Sequence, residues 1–183
     1  MNYYQVEINP SAKIAGSASI VGNVKIGKDT TIFFNATIRG DDDYIVVGDR
    51  SNVQENSCLH VSKGFPCIVG NDVTVGHGAI LHGATIGDCT IIGMGAIVLD
   101  GAQVGKNCLI GAGALVVGGS VIPEGMLAVG SPAKAKRPLT DDELRSLQVS
   151  AEEYVEVGCD LVENGVLRSA GDLQSEIKAI TLK

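Results

Sequence analysis

An aliphatic residue recurs at every sixth position through most of this chain. Ile14, Ile20, Ile26, Ile32 and Ile38 open the series, and Val47, Val53 and Leu59 resume it after three extra residues. Val69, Val75 and Leu81 follow after four more, and Ile86, Ile92, Val98, Val104, Ile110, Val116 and Ile122 complete it. A period of six is neither the 3.6 of an amphipathic helix nor the plain alternation of a strand. It fits a short strand and a turn, repeated so that one inward residue recurs in each segment. Gly follows the beat at Gly27, Gly48, Gly70, Gly76, Gly87, Gly93, Gly105 and Gly111, and Ala18, Ala36, Ser57, Ala79, Ala96, Ala102 and Ala114 stand four after it. Small residues permit tight turns and a narrow core. Three segments close one coil of a triangular prism, so the eighteen segments predict about six coils stacked at about 4.8 Å with backbone bonds along the axis. The fold expected is mainly β: a parallel β-helix of hexapeptide repeats.

Composition agrees with a thin prism. Gly makes up 24 of the 183 residues, Trp is absent and aromatic residues are 4%. The net charge of -7 argues against nucleic acid as a partner, and no apolar run reaches membrane-spanning length. Cys58, Cys67, Cys89, Cys108 and Cys159 are odd in number and form no CxxC pair, which suits reduced, packed thiols in a cytoplasmic protein. Beyond Val129 the pattern ends at Gly130-Ser131-Pro132, which divides the chain into a β-helix over 1–130 and a C-terminal helical segment with tail over 131–183. Thr140 with Glu143, and Ser150 with Glu153, each have the form of a capping box, predicting two helical stretches, about 141–148 and 151–164. They are expected to lie along one face of the prism. Residues 166–183 fit a short helix or a tail equally well.

The three histidines fall inside the beat. If the extra residues after Ile38 and Leu59 only lengthen corners, then Ile38, Leu59 and Leu81 share one face, and His60 and His82 stack outward in neighbouring coils with Arg39 one coil earlier. His77 stands two after Val75 on the preceding face, over Glu55 and close to Gln54. It cannot readily reach the His60–His82 pair of its own chain, but a neighbouring copy could supply it. Three copies about a threefold axis would give a homotrimer with a site at each interface. Three imidazoles with an open fourth position are the pattern of catalytic zinc.

Arg39-Gly-Asp41, Asn52-Val-Gln54-Glu55-Asn56, His60, Val75-Gly-His77-Gly-Ala-Ile-Leu-His82-Gly, Ile91-Ile-Gly-Met-Gly95 and the closing Val129-Gly-Ser-Pro-Ala-Lys-Ala-Lys-Arg-Pro-Leu139 together resemble the gamma-class carbonic anhydrases and their relatives, over about residues 10–165. The resemblance implies a left-handed prism, a trimer and interfacial zinc held by His60, His77 and His82; iron or cobalt could take the same ligands. It implies that Arg39 and Asp41 link subunits beside the metal and help hold bicarbonate, although an ordinary ion pair in a turn would use the same residues. Gln54 resembles the residue that orients a metal-bound hydroxide; the alternative for it is a solvated strand position. The activity implied is reversible hydration of CO2 to bicarbonate, with Glu55 or buffer taking the proton. Glu55 replaces the usual Asp, and Val61-Ser-Lys-Gly-Phe-Pro-Cys67 lacks the acidic shuttle residue of the better studied relatives. Tyr154 suits a packing role or a place at the site mouth. Rival functions on the same prism are a hexapeptide acyltransferase, a CoA-thioester hydrolase, or a metal-binding trimer without turnover.

Overall fold

The computed structural model describes residues 5–173. It is a left-handed parallel β-helix of about seven turns followed by a helix. Of the eighteen beat residues, all but Ile20 are buried, Ile32, Ile38, Val53, Leu59, Val75, Leu81, Ile92, Val98, Ile110 and Val116 completely. The coil count exceeds the sequence expectation because the beat extends at both ends. Val6–Ile8 pairs with the strand one coil on, Ile8 against Ile26, and Ala128 continues the column above Ile110. Alanine fills the last inward place, so an aliphatic count stops one segment short.

Three faces carry the coils. The first contains Val6–Ile8 and then the strands centred on Ile26, Val47, Val69, Ile86, Val104 and Ile122. The second runs from Lys13–Ile14 through Thr31–Ile32, Asn52–Val53, Thr74–Val75, Ile91–Ile92 and Leu109–Ile110 to Met126–Gly130. The third pairs Ile20, Ile38, Leu59, Leu81, Val98 and Val116 in order. Register therefore follows the predicted one, but the three extra residues after Ile38 do not form a widened turn. Thr37–Val47 is one eleven-residue strand that bends from the third face to the first, pairing with both Cys58–His60 and Cys67–Val69. The four extra residues after Leu59 do form a loop, closed by a bridge between Ser62 and Phe65.

Corners repeat as strictly as faces. Asp29, Arg50, Asp72, Cys89 and Asn107 occupy the same turn in successive coils, all with φ between 52° and 56°. One place inward, Thr30, Ser51 and Thr90 donate their hydroxyls to the carbonyls of Gly48, Gly70 and Gly105 in the coil above. Cys108 takes the same position and directs its thiol to Pro123 O at 3.1 Å, so a packed cysteine replaces a hydroxyl in the ladder. Cys67 is fully buried, and burial pushes its thiol up to about 12, leaving it inert as a nucleophile.

The C-terminal segment differs from the two expected helices. One continuous helix, Asp141–Glu163, spans both expected stretches and lies on the second face against the Lys13, Thr31 and Asn52 strands. Thr140 caps it as predicted: its hydroxyl accepts from Glu143 N–H while Glu143 accepts from Thr140 N–H. The second box does not start a helix. Leu147 and Ala151, one turn apart, are both buried against the prism and carry the helix through Ser150. Beyond it, Arg168–Ser169 pairs antiparallel with Lys13–Ile14, and Leu167 and Ala170 are buried. That part of 166–183 is packed; residues 174–183 lie outside the described ones.

Candidate metal centre

Strand register places the sequence-predicted residues in two groups. On the third face Arg39, His60 and His82 are vertical neighbours, with Arg39 paired to His60 and His60 to His82. Asp41 lies further along the bent strand and turns back to them. Arg39 pairs with Asp41 Oδ2, and His60 Nε2 lies 3.0 Å from Asp41 Oδ1. Burial alone would push the Asp41 carboxyl up, but hydrogen bonds from His60, the local backbone and Arg39 together hold it below the ordinary value.

The imidazoles meet through their remaining nitrogens. His60 Nδ1 and His82 Nε2 are 2.9 Å apart, with ring centroids 4.9 Å apart and planes crossed at 63°. His82 Nδ1 is 2.6 Å from Asp100 Oδ1. A carboxylate only accepts hydrogen bonds, so His60 carries its hydrogen on Nε2 and His82 on Nδ1. The two facing nitrogens are then both bare lone pairs, which repel unless a proton or a metal ion lies between them. Nitrogen ligands on tetrahedral zinc stand about 3.3 Å apart for bonds of about 2.0–2.1 Å, close to the spacing found. Backing each ligating imidazole with a carboxylate is the arrangement that fixes tautomer and aim in metal sites. The pair fits a cation.

The second group is on the preceding face. His77 Nδ1 contacts Glu55 Oε2 at 2.6 Å, and the imidazole is nearly half exposed. Glu55 thus acquires a task the sequence did not give it, holding the third imidazole as Asp41 and Asp100 hold the others. Gln54 is not the solvated residue considered as its alternative. It is 3% exposed, accepts from His77 N–H through Oε1 and donates through Nε2 to Asn52 Oδ1. Among the described residues of one chain, no three of His, Cys, Asp or Glu gather as a metal set. One chain brings together two of the three imidazoles, as the face register predicted. Tyr154 packs its ring edge-on to Phe33, centroids 5.8 Å apart.

Sequence reasoning missed Asp100 and Ser62, which donates to Asp100 Oδ2 at 3.0 Å. The signal existed: Asp100 stands two after the beat residue Val98, one coil above Gly83.

A parallel prism of hexapeptide repeats with an outward pair of carboxylate-backed histidines defines a class, the hexapeptide-repeat proteins. Residues 83–118 match the family described as bacterial transferase hexapeptide (six repeats). The chain is 49% identical over 150 residues to a probable carbonic anhydrase of Methanocaldococcus jannaschii, covering 82% of this chain and 94% of that one. It is 48% identical to a carbonic anhydrase of Geobacillus kaustophilus, covering 83% and 84%. A solved structure described as a hexapeptide transferase family protein from Anaplasma phagocytophilum superposes with a TM-score of 0.82 at 38% identity, covering 85% and 92%. The chain belongs to the gamma carbonic anhydrase family of hexapeptide-repeat proteins. No helix among the described residues is long and apolar enough to cross a membrane.

Proposed function

We propose that this protein is a gamma-class carbonic anhydrase that hydrates CO2 to bicarbonate at sites shared between subunits of a homotrimer. The observation that carries the proposal is the 2.9 Å approach of His60 Nδ1 and His82 Nε2, each ring held from behind by a carboxylate. His60 and His82 of one subunit and His77 of the next would hold the ion, with zinc the natural occupant of three neutral imidazoles and iron or cobalt acceptable. When bound, such an ion supplies Lewis-acid activation of water near neutral pH. Asp41, kept ionised by Arg39 and His60, holds His60 in the tautomer that offers Nδ1. Gln54, fixed at both ends of its amide, retains one N–H and one lone pair with which to orient a reacting oxygen. Glu55 fixes His77 and, being a third exposed, offers a carboxylate through which a proton can leave.

Membership of the same fold by transferase-named proteins keeps acyl transfer as the rival reading. Metal analysis after anaerobic purification, with stopped-flow CO2 hydration beside a His82→Ala variant, separates the two. The proposal expects about one ion per subunit in the wild type, hydration above background, and loss of both on substitution. Metal-loaded protein without hydration at any pH would remove the activity and leave a metal-binding trimer. Acyl transfer from a CoA thioester by metal-free protein would favour the rival.

A further inference from the structure

We infer that Asp100, braced by Ser62, is the positioning residue that sets the tautomer and aim of His82, and that loop 61–66 is its bracket. The inference rests on the metal-site reading above but concerns residues outside the ligand set. Asp100 Oδ1 lies 2.6 Å from His82 Nδ1, and Asp100 Oδ2 accepts from Ser62 Oγ at 3.0 Å. Among the described residues no Lys or Arg pairs with Asp100. Its two oxygens are spent on one imidazole and one hydroxyl.

Space has been cleared for this approach. A Cβ on Gly83, the residue after His82, would come within 2.3 Å of Asp100 Oδ1 and 2.8 Å of Phe65 Cβ. Phe65 also lies against Gly101, where an added Cβ would stand 3.1 Å from its ring Cε1. The loop is tied below as well, Gly64 N–H donating to Asp43 Oδ2 at 3.0 Å. A six-residue loop, 61–66, fixed to the coil beneath by Asp43 and to the coil above by Asp100, forms a brace. Its hydroxyl is aimed at an acceptor already in place on the coil above.

The first test needs no metal. In metal-free protein at mildly alkaline pH, long-range nitrogen-15 spectra report which ring nitrogen of His82 carries hydrogen. The wild type should show Nδ1–H. Asp100→Ala should shift His82 toward the Nε2–H form that free histidine prefers, while Asp100→Asn, whose Oδ1 still accepts, should restore Nδ1–H. The second readout is zinc affinity by competition with a chromophoric chelator. Asp100→Ala should weaken binding roughly tenfold to hundredfold, and Ser62→Ala about fivefold, the worth of one ordinary hydrogen bond. Nδ1–H in Asp100→Ala, or zinc affinity within about twofold of wild type, would overturn the inference. Wild-type protein that binds no zinc would instead sink the metal-site reading, and the tautomer spectra would still decide the role of Asp100.

Discussion

Gly158 sits in the middle of a helix, where glycine costs about 1 kcal/mol relative to alanine, because nothing larger fits. A Cβ there would lie 2.4 Å from Thr31 Oγ1 and 3.1 Å from the Lys13 side chain, both buried beneath the helix. Gly158→Ala should therefore destabilise the protein by about 1–2 kcal/mol net, overpacking outweighing the gain in helix propensity. A urea midpoint equal to or above wild type would show that the helix can lift off the face at no cost. At this scale the histidine column was legible because a fixed period converts sequence spacing into spatial stacking. Asp100 obeys the same period but was passed over, since a lone carboxylate near a corner has no distinguishing chemistry until its imidazole partner is seen. Gln54 departs from the solvated alternative, since its amide is buried between His77 N–H and Asn52 Oδ1, and those partners are not written in a six-residue repeat.

For the elements, the helix start shows how local chemistry and tertiary packing divide the work. Arg137, the backbone at Thr140 and the Thr140 hydroxyl hold the Glu143 carboxyl down to about 2, from an ordinary 4.5. A depressed carboxylate pKa contributes stability that is complete above the unfolded value and disappears as pH falls through the folded one. The helix terminus should accordingly keep its cap above about pH 4.5 and lose it toward about pH 2. Glu143→Gln should flatten that transition, as followed by amide exchange at Leu144. A transition unchanged by the substitution would assign it to other carboxylates. The first capping box was legible because it needs only four residues. Continuity through Ser150 was not, because it is decided by Leu147 and Ala151 burying against strands from the other end of the chain. The bent strand Thr37–Val47 escaped for a similar reason: pairing to two different neighbours keeps it extended where insertion alone suggests a turn.

In the whole molecule, the proposed site exists only between copies, and this can be tested without any assay of turnover. Chains carrying His77→Ala and chains carrying His82→Ala should each fail to hold zinc alone. Mixed by co-refolding in equal amounts, they should recover zinc at about a quarter of the interfaces, those pairing intact His60 and His82 with an intact His77. No recovery in verified mixed trimers would place all three ligands within one chain or dissolve the site. Prism, period and face order were all open to reading from sequence, because each depends on repetition. The closure of the prism was not, since it depends on the segment that departs from the pattern.

That segment meets both ends of the second face. Ala133–Pro138 adds antiparallel to Met126–Gly130, and after the helix Arg168–Ser169 adds antiparallel to Lys13–Ile14. A stack of identical parallel rungs has no natural last rung, and each bare end would accept the opposite end of another copy. By turning the chain back on itself at both limits of this face, the C-terminal segment occupies two of the edges through which a column of repeated rungs could lengthen, and so favours a particle over a thread.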